Sequence, residues 1–157
     1  MPADKPFNIV LVEPEIPPNT GNIARLCAAT GSILHLVGQL GFAIDDKHLK
    51  RAGLDYWEHV AVHRWDTLGE LQSSTSQGRF FYLSTKVARS YLAVAFQPGD
   101  FLVFGRETRG LPEELLHSNP DTCITIPMPA GVVRSLNLST SAGIVLYEAL
   151  RQSGRID

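Results

Sequence analysis

Phe101-Leu102-Val103-Phe104-Gly105-Arg106-Glu107-Thr108-Arg109-Gly110-Leu111-Pro112 is the stretch on which the fold turns. Its first four residues form an uninterrupted apolar run, the pattern of a strand covered on both faces rather than one. Gly105 and Gly110 permit close turns. Pro112, Glu113 and Glu114 then open a helix, because proline tolerates the first turn and carboxylates suit the positive end of the helix dipole. Phe7–Val12 repeats the strand pattern, and behind it Ile23, Leu26, Cys27 and Thr30 fall at i, i+3, i+4 and i+7 of a helix. Runs at Ile33–Val37, Val60–His63, Arg79–Leu83 and Thr122–Ile126 predict further strands. Leu138, Ala142, Val145, Leu146 and Ala149 predict a closing helix. Repeated β-then-α order requires parallel strands joined by crossover helices. The fold class is therefore α/β, a parallel sheet flanked by helices.

The chain has 157 residues, 44% hydrophobic and 19% charged, with 13 Gly and 10 Pro. That mixture suits one globular domain over residues 1–157, with residues 1–6 a loose terminus and Ser73–Gly78 a polar loop, and excludes a disordered or fibrous chain. Apolar runs fall far short of the ~18 residues of a membrane span. No apolar secretory segment follows Met1, so a cytoplasmic location with no membrane partner is expected. Fourteen basic against sixteen acidic residues give a net charge of -2, so any nucleic acid must be met by a local patch. Cys27 and Cys123 lie far apart without C-x-x-C spacing and read as core residues. His59 and His63 share one face of the predicted alternating strand, but no third ligand stands near, so no metal site is expected.

In open α/β sheets ligands bind beyond the carboxyl ends of the strands, and three loops there are unusual. In Glu13-Pro14-Glu15-Ile16-Pro17-Pro18-Asn19-Thr20-Gly21-Asn22, three prolines stiffen the chain and Asn19 or Thr20 can cap the next helix. Asn22 and Arg25 lie opposite Ile23, Leu26 and Cys27, so Arg25 faces solvent, ligand or another subunit. The Gly105–Pro112 loop lacks the Lys-Ser/Thr of a P-loop, which leaves either close backbone approach to a ligand or a plain tight turn. Ile126-Pro127-Met128-Pro129-Ala130-Gly131-Val132-Val133-Arg134-Ser135-Leu136-Asn137 ends where Ser135 or Asn137 can cap the last helix. Lys47, Lys50 and Arg51 cluster on a predicted short helix, as a solvated face or a phosphate-contacting patch. Neither G-x-G-x-x-G nor G-x-S-x-G occurs.

Together, Pro18-Asn19-Thr20-Gly21-Asn22-Ile23-Ala24-Arg25, Phe104–Leu111, and Ile126-Pro127-Met128 with Ser135-Leu136-Asn137-Leu138-Ser139 resemble the three motifs of the SPOUT (SpoU/TrmH-like) methyltransferases, over about residues 7–152. Glu13–Pro18 and Arg51-Ala52-Gly53-Leu54-Asp55-Tyr56-Trp57 resemble the branch that methylates the wobble ribose of tRNA. The resemblance implies a C-terminal deep trefoil knot, with S-adenosylmethionine held by Leu83, Gly105, Ile126, Met128 and Ser135. It implies a homodimer with shared active sites, in which Arg25 of one subunit acts as base or alkoxide stabiliser while Asn19, Glu107, Ser135 and Asn137 shape the site. The expected reaction is 2′-O-methylation of cytidine or modified uridine 34 in a tRNA anticodon loop, without a metal. Lys47, Lys50, Arg51, Arg106, Arg109 and Arg134 are the expected RNA contacts. The alternatives are a ribosomal RNA 2′-O-methyltransferase and a noncatalytic RNA-binding α/β module. Arg106 stands where relatives often carry Pro or Ser, and Thr140 where many carry Asn.

Overall fold

The computed structural model describes residues 5–43 and 54–156. Strands β1 (Asn8–Val12), β2 (Ile33–Val37), β3 (Val62–Trp65), β4 (Phe80–Leu83), β5 (Phe101–Phe104) and β6 (Cys123–Ile124) form one sheet in the order β3-β2-β1-β5-β4-β6. Every pairing is parallel, with Ile9 beside both Leu34 and Leu102. Helices α1 (Pro17–Thr30) and α4 (Leu138–Gln152) supply one apolar layer; α2 (Leu68–Ser74) and α3 (Glu113–Ser118) supply the other. Alternation along β1 divides the core between them. Ile9 and Leu11 join Ile23, Cys27, Ala142, Val145 and Leu146 on the first face, whereas Val10 and Val12 join Leu71, Leu111 and Leu116 on the second. Both faces are buried, which explains the unbroken apolar runs of β1 and β5. Among the described residues no helix is long and apolar enough to cross a membrane.

Local chemistry sets the element ends, and several differ from the sequence expectation. α1 begins at Pro17, so neither Asn19 nor Thr20 caps it. Pro17 and Pro18 have no N–H to leave unsatisfied, and the first turn needs no side-chain cap. At the other end Gly31 takes the left-handed conformation, φ 69°, and closes the helix. The strand expected at Val60–His63 lies two residues later, because a 3₁₀ turn over Leu54–His59 occupies the preceding chain. His59 therefore ends that turn and does not share a strand face with His63. The polar stretch at Ser73 also starts too early: Ser73 and Ser74 complete α2, where the Ser74 hydroxyl donates to the Leu71 carbonyl at 2.7 Å. Thr122–Ile126 shortens to the two-residue β6.

On the second face, His35 of β2 is buried with His63 stacked on it at 5.5 Å between ring centroids. Trp65 Nε1 donates to His35 Nδ1 at 3.1 Å, so Nε2 carries the proton and donates to Asn8 Oδ1 at 2.9 Å. Burial, with His63 adding to it, pushes the His35 pKa down from 6.5 to about 4. The unfolded chain thus takes up this proton at a higher pH than the folded protein does. His35 contributes its full stability above pH 6.5 and loses it progressively toward pH 4. Urea unfolding across that window should show a smaller pH-dependent loss for His35→Gln than for wild type, by on the order of 2 kcal/mol. Parallel profiles would remove His35 from the account.

Candidate active site

The carboxyl ends of β4, β5 and β6 and the loop after β1 converge on a cleft of about 500 Å³. It opens where the sheet order turns back between β1 and β5, the place at which parallel α/β sheets bind ligands. Its walls include apolar Leu83, Phe104, Ile126 and Leu138 together with hydroxyl, amide and cationic side chains.

Three loops are locked together at this cleft. The Glu107 carboxylate accepts the Glu15 N–H at 2.8 Å, the Ile16 N–H at 2.9 Å and the Asn19 amide at 3.2 Å. Asn19 is only 6% exposed, and its own oxygen accepts the Asn137 amide at 3.1 Å. Asn137 in turn caps α4, accepting from the Ser139 and Thr140 N–H groups, so it is the cap of that helix and Ser135 is left to line the cleft. Glu15 returns the exchange by accepting the Thr108 hydroxyl at 2.7 Å and its N–H at 3.1 Å. Those Thr108 hydrogen bonds, the side-chain one foremost, hold the Glu15 carboxyl below its ordinary range, aided by Arg106 and Arg109.

The middle loop folds back on itself. Arg106 and Gly110 form an antiparallel bridge in which the Gly110 N–H donates to the Arg106 carbonyl at 2.8 Å. Gly105 sits under this bridge, where a Cβ would lie 2.1 Å from the Gly110 carbonyl carbon and 2.3 Å from the Leu111 nitrogen. Backbone atoms cannot move aside as a flexible side chain can. Gly105 is thus required for the loop to close on its own backbone.

Glu13, at the end of β1, has φ 52°, the left-handed region that costs a non-glycine residue about 1–2 kcal/mol. Its carboxylate meets Arg106 Nη2 at 2.8 Å, with side-chain exposures of 34% and 37%. A pair this accessible contributes about 0.2–1 kcal/mol, less than the backbone strain. Gly38, φ 78°, makes room for it, since a Cβ there would lie 2.7 Å from Glu13 Cγ.

The sequence expectations sort cleanly against this geometry. Leu83, Gly105, Ile126, Met128 and Ser135 line the cleft, as do Asn19, Glu107, Asn137, Arg106, Arg109 and Arg134. Arg25 is exposed on α1 and is not among the cleft-lining residues of its own chain. Lys47, Lys50 and Arg51 lie outside the described residues. Lys86, Glu13, Glu15 and Thr108 went unremarked as site residues. The loop after β4 ought to have drawn attention to Lys86, but Ser84-Thr85-Lys86 carries none of the glycine or proline that marks the other loops. Among the described residues no group of three or more His, Cys, Asp or Glu side chains is placed to hold a metal ion.

The sequence profile of the SpoU rRNA methylase family matches residues 6–147. The chain belongs to that family. A tRNA (cytidine(34)-2'-O)-methyltransferase of Escherichia coli K12 is 52% identical over 149 residues, 94% of each chain. A solved structure concerned with 2-OH methylation of C/U34 on tRNA superposes with a TM-score of 0.90 at 44% identity, covering 97% of this chain and 99% of that one. An AdoMet-bound rRNA methyltransferase of Sinorhizobium meliloti gives 0.83 at 25% identity; the match covers 96% of this chain and 57% of that one. Gly105→Ala should lower stability by about 1–3 kcal/mol in urea unfolding, the usual cost of overpacking. A change below about 0.5 kcal/mol would mean that the loop relaxes freely.

Proposed function

We propose that this protein transfers a methyl group from S-adenosylmethionine to the ribose 2′-hydroxyl of nucleotide 34, cytidine or modified uridine, in the anticodon loop of tRNA. The observation that carries the reading is the Glu107–Asn19–Asn137 chain, which joins all three SpoU motif loops around one cleft. The near full-length match to tRNA (cytidine(34)-2'-O)-methyltransferases at about half identity selects the substrate, whereas the rRNA enzyme of known structure is a much longer chain. This reading includes a cytoplasmic location, the place where tRNA is found.

The cleft suits the cofactor. Its apolar walls can take a nucleoside, and Gly105, which carries no side chain, lies on the cleft wall. Leu83, Gly105, Ile126, Met128 and Ser135 would hold it, and when bound it supplies an electrophilic methyl on a sulfonium. The chain's own task is positioning: the 2′-oxygen must approach in line, displacing a thioether as its proton leaves. Asn19, Glu107 and Asn137 fix the loops and Ser135 stands at the cleft wall. Exposed on α1 beyond its own cleft, Arg25 is proposed to reach the site of a second copy in a homodimer, where its guanidinium stabilises the developing alkoxide or, in its deprotonated guanidine form, the side chain takes up the proton.

Labelled S-adenosylmethionine incubated with tRNA lacking wobble methylation, followed by nuclease mapping, should place the label on the 2′-oxygen of nucleotide 34. Label elsewhere, or only on ribosomal RNA, would overturn the assignment. Arg25→Ala should lose at least about 100-fold in kcat, as removal of an alkoxide-stabilising group does. Mixing Arg25→Ala with Asn137→Ala subunits should restore part of the activity in heterodimers. Absence of any restoration would show that each cleft uses its own Arg25.

A further inference from the structure

A second cleft, of about 590 Å³, lies on the other side of the Arg106–Leu111 loop and shares Lys86, Arg106 and Arg109 with the first. Two carboxylates face it, Glu13 and Glu113, and each is paired: Arg106 Nη2 to Glu13 at 2.8 Å, Lys86 Nζ to Glu113 at 3.0 Å. Both pairs remain accessible to water, with side-chain exposures between 34% and 69%.

Stability alone does not account for the Glu13–Arg106 pair. An accessible ion pair returns less than the left-handed backbone at Glu13 costs, and strain of this sort persists where a side chain must be held in place. What it holds is a guanidinium on the wall common to both clefts. One Arg106 nitrogen meets Glu13, and a guanidinium has five N–H donors in a planar fork, enough to engage a second oxyanion at the same time. Lys86 and Arg109 add charge on the same wall. On a chain of net charge -2, this is a place where a polyanion meets cations already oriented.

We propose that the second cleft receives a phosphodiester of the substrate strand next to the target ribose, with Arg106 as the group it meets and Glu13 as the residue that positions Arg106. The inference rests on the methyl-transfer reading above and adds to it the path of the RNA backbone. A target ribose reaching into the first cleft leaves its neighbouring phosphate at the shared wall. Glu13 fixes the fork without neutralising all of its donors, and the Lys86–Glu113 pair lines the same cleft.

The test is equilibrium binding of a fluorescent, unmethylated anticodon stem-loop RNA at several salt concentrations, with turnover measured in parallel. Arg106→Gln should weaken RNA binding about tenfold, reduce the slope of log K against log salt by about one, and raise KM for tRNA with little change in kcat. Cofactor affinity, measured by calorimetry, should not move. Glu13→Gln should act in the same direction more weakly, and Arg106→Lys should restore the salt slope but only part of the affinity, since it keeps charge without the fork. If Arg106→Gln and Glu13→Gln lower the melting temperature yet leave RNA affinity and salt slope unchanged, the pair is structural and the inference falls, while methylation by the wild type leaves the functional reading standing. Wild-type protein that binds the RNA with the expected slope but transfers no methyl would reverse that outcome.

Discussion

One carboxylate holds the site together. Glu107 accepts two backbone N–H groups from the loop after β1 and the amide of Asn19. Because Pro17 and Pro18 remove the donors that follow, the entry to α1 depends on this remote acceptor rather than on a local cap. Asn19 then passes the constraint to Asn137, and Asn137 to the start of α4. Charge-assisted hydrogen bonds of this kind are about twice as strong as neutral ones, and here they act on loops whose relative position defines a ligand cleft. The sheet supplies the base on which those loops stand, with β1 and β5 paired at its centre.

Much of the fold was legible because burial on both faces leaves a simple mark. β1, β2 and β5 show as apolar runs, and the buried stripe of α4 follows helical spacing. β3 was misplaced because Val60 and Val62 are both β-branched, and only the 3₁₀ turn upstream decides which begins the strand. The strand order was not readable at all. Adjacency of β1 to β5 and of β4 to β6 is a matter of long-range pairing, which local periodicity does not encode. Asn19 looked like a helix cap for a sound local reason, and was recruited instead by a carboxylate 88 residues away.

The loops that line the cleft stood out in the sequence, but the contacts their side chains make did not. Glu107 has the composition of an acid–base group, yet its oxygens are occupied by the chain's own donors, which makes it an organiser of the site. Glu15 and Thr108, unremarkable in sequence, complete a reciprocal exchange with the same loop. Local charge follows the same economy. Lys86 and Arg106, which line both clefts, stand beside carboxylates that orient them, which reconciles a slightly acidic chain with a polyanionic substrate.

The most direct measurement of this account is calorimetric binding of S-adenosylmethionine to Glu107→Gln, alongside the circular dichroism of the same variant. The substitution keeps size and shape but puts an amide donor against backbone N–H groups. If the carboxylate assembles the cleft, the variant retains native secondary structure and binds the cofactor at least about tenfold more weakly, about 1.4 kcal/mol. Wild-type affinity in a folded Glu107→Gln protein would contradict the claim that this interaction builds the site.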